Sequence, residues 1–217
     1  MSKKTPLFII LLMLIGSALA CSESIIANPS PAPENSQYLF QDDFSDPSSG
    51  WVTEREEDHI IDYEHGGFRI WGNRSNYDYW SIPNMKFGDV SIEVDTSKLS
   101  GPDDNSFGVL CRYQNENFYG FLISSDGYYG ISKRKDGDHQ IIGTDGMKVS
   151  ARINKGGVSN HIRADCIGST LTLYVNGEKL LEVQDSDYSS GDVGLLAGSF
   201  DTAGVDIKFT QFKVLRP

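Results

Sequence analysis

The chain has little of what metal sites and disulfide scaffolds are made from, with three cysteines and four histidines among 217 residues. Three cysteines cannot supply a disulfide framework or a four-thiolate zinc site. His59, His65, His139 and His161 stand far apart and complete neither a metal-ligand spacing nor a Ser-His-Asp order. Positive charge is also short: 19 Lys and Arg face 30 Asp and Glu, a net charge of -11. Nucleic acid is thereby excluded as a partner, because phosphate neutralisation needs the opposite balance. Anionic lipid and acidic polysaccharide are repelled too, unless calcium intervenes. Helical spacing is absent from residue 38 onward, and no repeat of fixed period appears, which disfavours propellers and solenoids. Beyond residue 20 no apolar run is long enough to span a membrane.

What is present begins with a leader. Lys3 and Lys4 precede an unbroken apolar run from Leu7 to Ile15, and small residues follow at Gly16, Ser17, Ala18 and Ala20. Residues 1–20 are expected to be a secretory signal of the lipoprotein type. Ser17-Ala18-Leu19-Ala20-Cys21 resembles a bacterial lipobox, in which the thiol is acylated and becomes the mature N-terminus, although Ala18 stands where leucine is commonest. The alternative is a plain cut after Ala20 that leaves Cys21 an ordinary thiol. Loss of the leader takes Lys3 and Lys4 with it and deepens the charge from -11 to -13. Residues 21–37, with Pro29, Pro31 and Pro33, are expected to form an extended tether that holds an extracytoplasmic domain, residues 38–217, clear of the membrane.

Within that domain apolar and polar residues alternate in short runs. Val90, Ile92 and Val94 share one face, as do Phe107, Val109, Cys111 and Tyr113, then Ile162, Ala164 and Cys166, then Leu171, Leu173 and Val175. Asp126-Gly127, Asp136-Gly137 and Asn176-Gly177 mark hairpin turns between such runs. About a dozen short strands with local turns predict an all-β, antiparallel β-sandwich or jelly roll. Cys111 and Cys166 lie on the apolar faces of their strands; they are either a disulfide, as an even pair in an oxidising compartment, or two buried thiols.

Five segments resemble the concanavalin A-like jelly rolls grouped with the laminin-G-like domains and the 3-keto-disaccharide hydrolase family. They are Leu39 to Ser45 with Gly50-Trp51, Phe107 to Tyr113, Asn117 to Tyr129, Leu171 to Gly177 and Gly191 to Leu195. The resemblance spans residues 38–217 and implies the fold. From its laminarinase-like members it implies three carboxylates on one strand; Glu93-Val94-Asp95 begins that pattern, but Ser97 or Lys98 occupies the third position. From the keto-sugar hydrolases it implies a base with a metal, for which His59, Asp62, Glu64 and His65 have the chemistry, although strand alternation puts Asp62 and Glu64 on the opposite face from His59 and His65. It further implies a structural calcium clipping the terminal strands, with Asp42 or Asp43 and Asp206 as ligands.

Sugar rings stack their C–H faces on flat side chains, so the clustered aromatics are the evidence for binding. Most are expected to fill the core. The expected platform is Trp71, Tyr77 and Tyr79, with Arg74 and Asn76 as hydrogen-bonding partners. The reading is a membrane-tethered domain that binds a neutral glycan or a cell-envelope protein without catalysis. A glycoside-cleaving enzyme is the second reading, and a structural or protein-interaction module the third.

Overall fold

The computed structural model describes residues 37–217. The leader, Cys21 and residues 21–36 of the tether lie outside the described residues. Sixteen strands and no helix are found among those residues. In chain order they are β1 (Tyr38–Asp42), β2 (Glu54–Arg55), β3 (His59–Glu64), β4 (Gly67–Gly72), β5 (Tyr77–Ser81), β6 (Val90–Ser100), β7 (Asn105–Gln114) and β8 (Asn117–Ile123). They continue with β9 (Tyr128–Lys135), β10 (Asp138–Ile142), β11 (Lys148–Val149), β12 (Asn160–Ile167), β13 (Thr170–Val175), β14 (Glu178–Gln184), β15 (Asp192–Ser199) and β16 (Val205–Leu215). A nine-stranded sheet runs β14-β13-β12-β6-β16-β4-β3-β2, with β1 also beside β16. A seven-stranded sheet runs β10-β9-β8-β7-β15-β5, with β11 also beside β9.

Every pairing is antiparallel, and the turns follow from residue type. Asp136-Gly137 and Asn176-Gly177 both take positive φ at their two positions, the geometry that matches strand twist in a two-residue hairpin. Between the sheets lies one core. Ile92, Val94, Ile162, Ala164, Leu171 and Leu173 point into it from the nine-stranded sheet, and Val109, Phe121, Ile131 and Leu195 from the other, all without solvent exposure. Cys111 on β7 and Cys166 on β12 are joined in a disulfide that ties the two sheets together.

Much of the segment around Trp51 that carries the resemblance is core machinery. The Asp42 carboxylate accepts hydrogen bonds from Trp51 Nε1 at 2.9 Å, Phe44 N at 2.7 Å and the Ser49 hydroxyl. That clamp seats Trp51 against Phe44, Phe68 and Phe212, with ring centroids 4.9–5.4 Å apart.

A second apolar layer covers the outer face of the seven-stranded sheet. Leu110, Phe118, Leu122 and Leu196 are at most 2 % exposed there. The register sets Trp80, Leu196, Gly108, Leu122 and Gly130 side by side, large and small alternating from Leu196 onward. Gly130 leaves room for Ile141 and Met147, whereas a Cβ at Gly108 would strike the Phe121 carbonyl oxygen. What shields this layer is the sheet itself. β5 and β10 are opposite edges, about 24 Å apart if five strand spacings lay flat. Yet His139 Nδ1 of β10 lies 3.1 Å from Asp78 Oδ2 of β5, and the Arg134 guanidinium of β9 lies 5.2 Å from the centre of the Trp80 ring. The sheet is curled so that its two edges face each other across the outer side.

Candidate functional site

Between those facing edges runs a groove of about 710 Å3. β5 contributes Asp78 and Trp80 because the run Tyr77-Asp78-Tyr79-Trp80-Ser81 alternates: Tyr79 and Ser81 are buried inward, so Asp78 and Trp80 face out. Leu122 and Ser106 line its floor, Arg134 and His139 come from the β9–β10 hairpin, and Phe200 stands at the end of β15. The carboxylates inside the groove are paired. Asp78 faces His139, and Glu116 lies 3.7 Å from Arg134, whose guanidinium rests on Trp80. Gly198 makes the Asp78 position available, since a Cβ there would fall 2.1 Å from Asp78 Oδ1.

A neighbouring cleft of about 720 Å3 shares Tyr77, Asp78 and Trp80 with the groove. Its walls are acidic, with Glu54, Glu56, Glu57 and Asp58 beside His59 and Arg74. Hydrogen bonds from Arg74 and then His59 hold the Asp58 carboxyl below its ordinary value, and Asp58 in turn raises the Arg74 guanidinium. Beyond Phe200, a shallower hollow of about 590 Å3 is lined by Asp104, Ser124, Asp126 and Tyr128, and shares Met147 and Phe200 with the groove.

Of the five residues expected to form a platform, the structure gathers three. Tyr77 is 44 % exposed and lines groove and cleft; Asn76 lines the groove; Arg74 lines the cleft, with its guanidinium 5.1 Å from the centre of the Tyr77 ring. Tyr79 touches the cleft wall but is held mainly in the core. It is 3 % exposed, its ring fills space that a Cβ at Gly72 would occupy, and its hydroxyl accepts the Arg74 N–H at 3.2 Å. Burial pushes the Tyr79 hydroxyl above its ordinary value. Trp71 is separated from the others because it sits on β4 of the nine-stranded sheet, in register with Ile60 and Asp206. Trp80, Asp78, Arg134 and His139 were absent from the expected platform. The alternation in residues 77–81 holds a signal for two of them: once Tyr79 is inward, Trp80 must be outward.

Asp43 and Asp206 are not brought together. Asp42 pairs with Phe212, so Asp43 lies level with Gln211, five residues along β16 from Asp206 and about 17 Å away by strand rise. The Asp206 carboxylate is already engaged by Arg69 Nε at 2.8 Å, Arg69 Nη2 at 3.0 Å and Ser100 Oγ at 2.9 Å. No group of three His, Cys, Asp or Glu disposed to hold a metal ion occurs among the described residues. Glu93 and Asp95 lie on the outer face of the nine-stranded sheet, where His161 Nδ1 meets Asp95 Oδ1 at 2.8 Å and Arg163 stands opposite Glu93. Asp62 and Glu64 are bound by Arg55 on that same face, while His59 is buried against Tyr79 and His65 occupies a turn.

No family model matches the chain, and no curated protein matches it by sequence. Solved structures do. A carbohydrate binding module, CBM66 from Bacillus subtilis, superposes with a TM-score of 0.63 at 16% identity, covering 77% of this chain and 96% of that one. The beta-glucanase of Bacillus licheniformis gives 0.57 at 10% identity, with 85% of this chain and 100% of that one. The GH43 protein BlXynB of Bacillus licheniformis gives 0.60 at 14% identity, with 86% of this chain and 40% of that one. At such identities the likeness is one of fold: the domain is a concanavalin A-like jelly roll, and the resemblance read from the sequence holds at that level.

Proposed function

We propose that this domain binds carbohydrate, without cleaving it, in the groove between the two edges of the seven-stranded sheet. The observation that carries the reading is a concave groove in which the Trp80 indole, with the Arg134 guanidinium resting on it, lies among hydroxyl and carboxylate groups. Sugars are bound by such a pairing of apolar ring face and polar rim. The carbohydrate-binding module and glycosidases that share the fold support the same ligand class.

Absence of catalysis is argued from the carboxyls. Glycoside cleavage needs an acid kept protonated by an apolar setting beside an ionised partner. Of the two carboxylates of the groove, Glu116 faces the Arg134 guanidinium and Asp78 is paired with the His139 imidazole, so neither stands in the apolar setting that an acid of that kind needs. Asp192, whose carboxyl burial pushes up to about 6, is not among the groove's lining residues and accepts hydrogen bonds from the backbone of Met85 and Val193.

The proposal includes acylation at Cys21 and an extracytoplasmic, membrane-tethered location. A disulfide in the domain supports an oxidising compartment. Replacing Cys21 with Ala is expected to move the protein from the membrane to the soluble fraction.

A glycan array combined with a turnover screen, 3-keto-disaccharides included, tests the function. Binding without turnover is expected, weakened about five- to tenfold by Trp80→Ala and unchanged by Trp71→Ala. Turnover that survives purification would replace this reading with the enzyme.

A further inference from the structure

We infer that the unliganded domain is held shut by its own side chains: Arg134 and His139, from the β9–β10 hairpin, occupy the two places on β5 that a sugar needs, and a ligand enters by displacing them. This rests on the carbohydrate reading above and adds how access to that site is controlled.

The two places are the Trp80 ring and the Asp78 carboxylate, which face the same side of β5. A sugar stacks its C–H face on the first and donates a hydroxyl to the second. Both are taken. The Arg134 guanidinium carbon lies 5.2 Å from the centre of the Trp80 ring, and His139 Nδ1 lies 3.1 Å from Asp78 Oδ2. A flat group on the ring and a nitrogen at the carboxylate stand in for the two halves of one sugar contact.

No strand pairing closes the groove. Among the described residues β10 pairs with β9 alone and β5 with β15 alone, so the two edges meet through side chains. Contacts of this kind are weak: one partly exposed carboxylate pair and one cation–π stack together favour the closed arrangement by about three- to thirtyfold. The seat of Arg134 is also imperfect. Its Nε is buried with no hydrogen-bond acceptor, which costs free energy in the closed state only. Its Nη2 lies 3.7 Å from Glu116, a side chain 63 % exposed in the turn between β7 and β8. Lifted from the ring, the guanidinium regains water at Nε and keeps that carboxylate within reach. A ligand that binds only the open fraction has its apparent affinity lowered by the same factor.

Calorimetry on the full chain in detergent tests this, with neutral gluco-, xylo-, manno- and fructo-tetrasaccharides as probes. His139→Ala and Arg134→Ala are each expected to tighten binding several-fold, and the double variant by about three- to thirtyfold. Asp78→Ala should weaken it several-fold, because Asp78 becomes a sugar contact once released; a merely structural pair would move Asp78→Ala and His139→Ala in one direction. With no ligand present, acrylamide quenching in a Trp71→Phe background should rise on Arg134→Ala, Trp51 being buried. His139 lies on an exposed stretch of β10, and circular dichroism checks the fold of each variant. Weaker or unchanged binding by the double variant, with Trp80→Ala still damaging, would overturn the inference and leave the carbohydrate reading standing. Binding by the double variant where the intact protein is silent would support it. Silence of every variant with every probe would remove the reading, and the inference with it.

Discussion

Gly198 and Gly72 show how single missing side chains shape the site. A methyl at Gly198 would press on the Asp78 carboxylate and lie 2.9 Å from Ser106 Oγ. Gly198→Ala is therefore expected to displace Asp78 from His139, at a cost of about 1–3 kcal/mol in stability and several-fold in glycan affinity, measured by chemical denaturation and calorimetry. At Gly72 the added atom would fall 1.9 Å from the Tyr79 ring, deep in the core, so Gly72→Ala should cost more and act on folding alone. Asp192 gives a pH signature. Burial raises its folded value from 3.8 to about 6, so at pH 7 the ionised carboxylate is penalised only in the folded state. Between about pH 6 and pH 4 the folded carboxyl holds a proton that the unfolded chain does not, which adds up to about 3 kcal/mol on acidification. Thermal stability should rise from pH 7 to pH 5, and Asp192→Asn should flatten that rise. Glu64, held below its ordinary value of 4.5 by hydrogen bonds from Arg69 and Arg55, acts in the opposite sense, with stability lost only as the pH falls further.

At the scale of the element, strands and turns were legible because their cause is local. The alternating runs Val90 to Val94, Ile162 to Cys166 and Leu171 to Val175 fall within β6, β12 and β13, and Asn176-Gly177 turns where its residue types require. Pairing across the molecule is another matter. That β5 would face β10 depends on sheet curl, which no short stretch of sequence encodes; His139 two residues after a hairpin turn gives no hint that its partner is Asp78. The expectation for Trp71 failed for the same reason, since closeness in sequence placed it with Tyr77 while the chain crosses between sheets after Gly72. The β9–β10 hairpin also shields the outer apolar layer, and Arg134→Ala should uncover Trp80, seen as a red shift and stronger quenching of its fluorescence. The disulfide belongs to this scale as well. It joins β7 to β12 across 55 residues of chain, and replacing both cysteines with Ala should lower stability by about 2–4 kcal/mol in denaturant unfolding.

Across the whole molecule, the sandwich and its core were readable from alternation and turn chemistry, whereas the candidate site was only partly so: Tyr77, Asn76 and Arg74 line its depressions, and Trp80, which also lines them, was not read. The calcium expectation shows the limit of fold analogy, because Asp206 spends both carboxylate oxygens on Arg69 and Ser100. Another property of the terminal strands matters more. β1 pairs with the end of β16, Tyr38 opposite Leu215, and Arg216 N donates to Gln37 O at 2.9 Å. The chain thus enters and leaves the domain at one point. Such a unit can be spliced into a surface loop of an unrelated host, or circularly permuted through a short Gly-Ser join, without stretching either partner. It is a plug-in cassette, and tension passed between neighbours on either side would run through that single junction and bypass the groove.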